Sequence, residues 1–471
     1  MPSPNSLHAR DIAYHLHPQT NLTRHEAIGP VVMVRGNGVH VYDDAGREYL
    51  DAMSGMWSAS LGFSDQRLTA AAARQMERLP YYQTFAHRST EPATELAETL
   101  IRLSPVPMSK VLFQSSGSEA NDTSIKLAWY WAHATGRPGK RKIISRRRAY
   151  HGTTIASASL TGLPHLHSLF NLPLDGFLHL TTPHHYREGL PGESEEAFAT
   201  RLAEELEALI LREGADTIAA FFAEPVMGTG GVLTPPATYF QKVQAVLRRH
   251  DILFVADEVI CGFGRTGNWW GCQTYGLEPD MITCAKALSA SYAPISAILL
   301  SESIYQAMKR NADQVGVFGH GFTYGGHPVA AAVALETLRI YEGDNLIEHA
   351  ANVGGRLQEG LRRLADHPMV GEVRGVGLMA AVEVVRDRET RAAFDPAAKV
   401  GAEVQRLAQE EGLIARALGD SLCFAPPLIT TESEVDVILA RFGRALDRTL
   451  EWVDAQGLRP VTPSPEEVQT L

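Results

Sequence analysis

Cysteine is scarce. There are four in 471 residues, Cys261, Cys272, Cys284 and Cys423, and no C-x-x-C pair. Such a set builds neither a disulfide scaffold nor a thiolate zinc site, and it reads as reduced packing residues. Positive charge is also in deficit, with 43 lysines and arginines against 54 acids and a net charge of -11. Phosphate backbones select basic surfaces, so nucleic acid is not an expected partner. The one basic run, "KRKIISRRR" from Lys140 to Arg148, is too short to change that balance and reads as a solvated strand edge. No apolar run approaches the ~20 residues of a membrane-spanning helix, so no membrane partner is expected. The opening "MPSPNSLHARDIAYHLHPQT" lacks the charged start, apolar stretch and cleavage site of a secretory signal, which leaves the cytoplasm as the expected location. Histidines occur as the close pairs His165/His167 and His184/His185, but neither has a third and fourth ligand at regular spacing. No metal site is expected from them.

What is present is a globular composition, 45% hydrophobic and 21% charged, in a chain long enough for two or three domains. Residues 31–50, "VVMVRGNGVHVYDDAGREYL", alternate apolar and polar around two glycine turns, which predicts a small antiparallel meander. From about residue 65 to 325, helical stretches alternate with short apolar runs such as "KVLFQ", "RKIIS", "TIAAFFAEP", "ILFVADEV" and "DMITCAK". That alternation predicts an α/β fold with a mostly parallel sheet covered on both faces. The expected division is an N-terminal segment over 1–60, a large cofactor-binding domain over 61–327, and a smaller α+β domain over 328–471 that the N-terminal segment joins. The final "LRPVTPSPEEVQTL" reads as a frayed tail.

Ligands of such a sheet bind beyond the carboxyl ends of its strands. Three features fall there. "VLFQSSGSEAND" runs from a strand through small residues into a helix, where backbone N–H groups and the helix dipole suit a phosphate; an ordinary N-cap, for which Ser118 would suffice, accounts for it equally well. In "ILFVADEVICGFGRTG", Gly262, Gly264 and Gly267 spell a dinucleotide fingerprint, but "NWWGCQTYG" follows instead of an apolar helix, so the context fails. Asp257 ends the same apolar strand, as a loop brace or as the partner of a protonated heterocyclic nitrogen. Lys286, in "DMITCAKALS", ends the next strand, as a loop lysine or as an amine able to form a Schiff base. An anion cup, a buried acid and a strand-end lysine on one sheet edge are together what pyridoxal phosphate requires.

The ordered set "SSGSEAND", "YHG", "AEPV", "DEVICGFGRTG", "AKALS" and "GFTYGGHP" closely resembles the class III pyridoxal-phosphate aminotransferases of fold type I, particularly the ω-amino acid and amine:pyruvate branch, from about residue 20 to 455. The resemblance implies that Lys286 holds the cofactor and shuttles the proton, that Asp257 pairs with the pyridine nitrogen, and that Tyr150 stacks on the ring. It implies a phosphate cup at Gly117 and Ser118, an apolar contact from Val259, and an outer acid at Glu224. Thr323 is implied as a phosphate ligand donated by the neighbouring subunit of a homodimer, or of a tetramer built from it. Arg416, in "GLIARALGD", matches a mobile arginine for the acceptor's carboxylate, and Trp57, in "SGMWSASLG", an aromatic wall of the substrate pocket. The function implied is transfer of an amino group from a primary amine or ω-amino acid to pyruvate or another 2-oxo acid by a ping-pong mechanism. A decarboxylase or aminomutase on the same fold, or an NAD oxidoreductase, is the alternative.

Three departures stand out. Relatives that handle ornithine or γ-aminobutyrate carry a glutamate that pairs with the arginine, where this chain has Thr229; that disfavours those donors and leaves Arg416 free. Met227 replaces a common glutamine and predicts a more apolar pocket. Ala287 follows the lysine where glycine is frequent, which predicts an ordinary backbone conformation at that residue.

Overall fold

A computed structural model of the chain describes residues 5–459. The tail from 460 onward, expected to be frayed, lies outside the described residues. The N-terminal meander forms as expected from β1 (Met33–Asn37), β2 (His40–Asp43) and β3 (Glu48–Asp51), paired antiparallel.

The large sheet uses β4 (Lys110–Gln114), β5 (Lys142–Arg146), β6 (Phe177–Leu180), β7 (Ile218–Ala223), β8 (Leu253–Asp257), β9 (Met281–Cys284) and β10 (Ser296–Leu300). Its order is β4-β10-β9-β8-β7-β5-β6. Strands β9, β8, β7, β5 and β6 run parallel, and β10 alone runs against both of its neighbours. The carboxyl ends of β4, β8 and β9 therefore share one edge of the sheet. Every residue of β7 and β8 is buried, because both faces are covered. On β7, Phe221 enters one core and Phe222 the other, as a two-residue period requires. Helices Gly117–Ala134 and Glu302–Val315 cover the second face with Ile125, Leu127, Trp131 and Ile304. Helix Pro328–Gly343 packs on helices Gln66–Arg78 and Glu91–Leu103 and over the turn at Lys286–Ser289.

The C-terminal segment supplies β11 (Val370–Val376), β12 (Met379–Val384), β13 (Leu413–Ile414), β14 (Arg416–Leu418) and β15 (Ser421–Phe424). Four of these form an antiparallel sheet in the order β11-β12-β15-β14, while β13 pairs parallel with β3. That pairing joins the two ends of the chain in one sheet. No helix of the described residues is long and apolar enough to cross a membrane.

The basic run at 140–148 is not a solvated edge. Strand β5 lies between β7 and β6, and two cations of the run, Lys140 and Arg146, are buried, while Arg141 and Arg147 stay exposed. Arg146 is fully buried and donates to the Glu224 carbonyl at 2.8 Å. Buried Lys140 donates to the Asp251 carbonyl at 2.5 Å, and burial lowers its amine to about 8.

Candidate active site

Asp257 is the last residue of β8 and only 3% exposed. Its Oδ2 accepts from Asn121 Nδ2 at 2.8 Å and lies 2.7 Å from His151 Nδ1, and its Oδ1 accepts from the Val259 backbone N–H at 3.1 Å. Asn121 is itself fixed, donating to the His151 carbonyl and accepting from Thr283 on β9. Three donors thus hold the carboxylate in one orientation at the floor of a cavity of about 150 Å³. Gly117, Ser118, Tyr150, Gly152, Glu224, Val259 and Lys286 line the same cavity.

The cup forms where β4 feeds helix Gly117–Ala134. Ser116, not Ser118, caps this helix: its hydroxyl accepts from the Glu119 N–H, while the Glu119 carboxylate accepts from the Ser115 and Ser116 N–H groups. The sequence reading placed the cap two residues late because both positions carry serine. With the cap at Ser116, its hydrogen bonds leave the N–H groups of Gly117 and Ser118 for an anion, and Ser118 Oγ accepts from the Thr153 N–H at 3.1 Å. Glycine fits tightly at one wall and is required at the other. A Cβ on Gly117 would stand 3.1 Å from both methyls of Val259, and one on Gly152, at φ +135°, would strike Ser118 Oγ at 2.5 Å.

Lys286 follows β9 after one residue, Ala285, with its own backbone in the left-handed region at φ +50°. Ala287 behind it has no such φ, as expected, so the unusual geometry falls on the lysine itself. Burial lowers the Lys286 amine to about 8, against the opposing pull of Asp257 and Glu224. Nζ has no hydrogen-bond partner among the described residues. Glu224 accepts from the Tyr150 and Gly228 N–H groups at 3.0 and 3.1 Å, and burial raises its carboxyl. Burial likewise raises the Tyr150 hydroxyl.

A second cavity of about 500 Å³ opens onto Lys286 and Tyr150 and is walled by Met56, Trp57, Arg148, Thr229 and Arg416. Trp57 is 1% exposed and held at φ +63°. Arg416 opens β14; its Nη1 lies 2.7 Å from Met56 Sδ, and its guanidinium contacts no carboxylate among the described residues. Met227 is a correction to the sequence reading. It is fully buried against Ala149 and Leu233 and lines neither cavity, because its backbone pairs with Leu233 and turns the side chain into the core. Thr323 lies on an exposed segment outside the pocket of its own chain, its carbonyl accepting from Tyr81 Oη at 2.8 Å. Sequence reasoning missed Asn121, His151, Gly152 and Arg148. The "AND" and "YHG" motifs carried the first three, and the misread basic run hid the fourth.

These residues fit pyridoxal phosphate. No lysine or arginine among the described residues pairs with the fixed Asp257 carboxylate, two helix-start N–H groups are free for an anion, and a lysine whose amine burial lowers to about 8 lines the same cavity. Gly262, Gly264 and Gly267 form a closed turn after β8, with no helix until Gly271–Tyr275, so the dinucleotide reading is set aside.

Residues 22–446 match the family model described as aminotransferase class-III. A relative from Solanum lycopersicum named γ-aminobutyrate transaminase 1, mitochondrial, is 47% identical over 428 residues, covering 91% of this chain and 83% of its own. Vanillin aminotransferase of Capsicum frutescens is 47% identical over 426 residues, 90% of this chain and 93% of its own. Among solved structures, an ω-transaminase from Pseudomonas jessenii in complex with PMP superposes with a TM-score of 0.94 at 55% identity, covering 95% of this chain and 99% of that one.

Proposed function

Since the chain belongs to the class III aminotransferases, of fold type I, with pyridoxal phosphate as their cofactor, we propose that it moves the amino group of a primary amine or ω-amino acid to pyruvate or another 2-oxo acid in a ping-pong sequence. The observation that carries the acceptor is Arg416, a guanidinium on the wall of a cavity that opens onto Lys286, with no carboxylate of its own to hold. A planar fork in that state suits a carboxylate bound through two parallel hydrogen bonds.

When bound, pyridoxal phosphate supplies an electron sink for the carbon that bears the substrate's amino group. The chain's own residues do the rest. Gly117 and Ser118 would hold the phosphate with their N–H groups, Tyr150 and Val259 would flank the ring, and the Asp257 carboxylate would keep a proton on the ring nitrogen. Lys286 Nζ, whose burial favours the neutral amine, would take the proton from the substrate carbon and deliver it to the cofactor's C4′, reversing that transfer in the second half-reaction, a step worth on the order of 10²–10⁴-fold. Trp57 and Tyr150 would wall the substrate, and Arg416 would hold the acceptor by its carboxylate so that its carbonyl carbon faces the amino group left by the donor, within reach of Lys286 Nζ.

Thr229 disfavours γ-aminobutyrate as the donor, yet relatives of this chain are named for that amino acid, so it stands among the donors to be tried. An ω-amino acid also carries a carboxylate that Arg416 or Arg148 could take in turn. We place the reaction in a homodimer, or a tetramer built from it, in which Thr323 reaches the neighbouring pocket. The exposed Tyr81, Tyr82, Phe85, Val317 and Tyr324 around Thr323 support that placement. A donor screen with pyruvate, read as alanine formed, tests the reaction; alanine from none of the donors would overturn it.

A further inference from the structure

Outside the lining of both cavities, four side chains of the N-terminal segment converge on one point. Asp11 lies on helix Leu7–Tyr14, His15 caps its end, His17 follows in the connection, and His25 sits on the next helix, Leu22–Ile28. His17 Nε2 lies 2.8 and 3.0 Å from the two Asp11 oxygens, His25 Nε2 lies 3.0 Å from Oδ1, and His15 Nδ1 lies 3.2 Å from Oδ2. The rings lie in series at tilted angles, with centroids 4.3 Å apart from His15 to His17 and 4.1 Å apart from His17 to His25. Ligand atoms of Asp11, His15 and His17 all lie within 4.8 Å of one another.

Three imidazoles each turn a ring nitrogen to the same carboxylate, which brings four potential metal ligands around one point. A tetrahedral zinc ion with bonds of about 2.0–2.1 Å separates its ligand atoms by about 3.3 Å. The spacings from Asp11 to the three imidazole nitrogens, 2.8 to 3.2 Å, need to open by only a few tenths of an ångström to reach it, while the imidazoles of His15 and His17, grouped within 4.8 Å, and that of His25 would draw together around the ion. Mixed imidazole and carboxylate donors are those that zinc-class ions accept. We propose that Asp11, His15 and His17, with His25 as fourth ligand, form a binding site for a divalent transition-metal ion of the zinc class.

The site has a structural consequence. The connection between the two helices carries Pro18 and Gln19, which line the outer cavity beside Met56, Trp57 and Arg416. Gln19 is held there with left-handed backbone at φ +53°. An ion bonded to His15 and His17 on one side of this connection and to His25 on the other fastens it across the mouth of the substrate cavity.

The test uses the full-length, cofactor-loaded protein, stripped of metal and titrated with zinc by calorimetry, with bound metal counted after desalting. The expected result is one tightly held zinc per chain, unchanged in a His133→Ala control. The double variant His15→Ala/His17→Ala should bind more than about 100-fold more weakly, since even the outer partners of a metal site are worth 10–100-fold. Zinc should also slow proteolytic cleavage between residues 15 and 21 in the parent protein and not in the variant. If thermal melting shows that the double variant has lost its fold, Asp11→Asn/His25→Gln replaces it and the same loss is expected. Binding that is absent in the parent, or equal in parent and variants, would overturn the proposal and leave a hydrogen-bonded cluster around Asp11.

Discussion

His151 Nδ1 and Asp257 Oδ2 meet at 2.7 Å with both side chains buried, so the acid beneath the cofactor pocket is held in place before anything binds above it. Asn121 shares the same oxygen. The arrangement fixes one oxygen with side chains and the other with the Val259 N–H, and a rotated carboxylate would break all three contacts.

Asp257→Asn removes the charge while keeping the shape. The new amide places its own donor against Asn121, His151 or Val259, at a cost of about 1–3 kcal/mol for a buried group left unpaired. It also loses its hold on a ring-nitrogen proton. By comparison with other buried groups that stabilise developing charge, kcat/KM should fall by about 10²–10³-fold. Steady-state kinetics and a melting curve measure the two effects separately.

Lys286 makes two pH predictions. Its amine, lowered to about 8 by burial, is the reactive form only when neutral. Capture of pyridoxal phosphate by cofactor-free protein should therefore quicken by about tenfold per pH unit below 8 and level off above it. Stability follows the same shift. Between about 8 and the ordinary lysine value of 10.5, the unfolded chain holds a proton that the folded chain has released, so cofactor-free stability rises with pH across that window. A denaturant series from pH 7 to 10.5 should show this rise in the parent and a flatter line in Lys286→Met.

Arg416→Leu separates the two halves of the reaction. A hydrogen-bonded charge pair is worth about 1.5–3 kcal/mol, so kcat/KM for pyruvate should fall by about 10–100-fold. For an uncharged amine the half-reaction should change by less than threefold. Equal losses in both would mean that Arg416 holds the wall in place and does not bind the acceptor.

Trp57→Gly should widen the outer cavity. The indole is buried and packs with Met53, Val226 and Ile260, so the change costs about 3–5 kcal/mol of stability, as for other large truncations. In return, kcat/KM for a bulky aryl-alkyl amine should rise relative to that for a small one. Melting temperature and a two-donor comparison check both.

Much of this was legible in the chain because the chemistry lies at strand ends. A strand such as "ILFVAD" announces itself by its apolar run, so the acid that closes it stands out, and Lys286 stands out in the same way after "DMITCA". The meander at β1–β3 was legible from its two-residue alternation. What was hidden depended on which strands became neighbours. Strand β5 looked like an edge because its lysines and arginines are consecutive, yet it pairs on both sides and buries Arg146. Met227 looked like a pocket residue until its pairing with Leu233 turned it inward. Asn121 and His151 acquire meaning only through Asp257, which lies 136 and 106 positions away from them along the chain. The Asp11 cluster escaped because its histidines are spaced irregularly and only two helices folding back bring them together.

The most direct test of the account is stoichiometric. The cofactor-loaded protein is incubated with pyruvate and each of a set of primary amines and ω-amino acids, γ-aminobutyrate included, and alanine is quantified beside the carbonyl product. The account predicts that at least one donor yields alanine and carbonyl product in equal amounts, and that Lys286→Ala yields neither. Alanine from none of the donors, or alanine formed undiminished by Lys286→Ala, would contradict it.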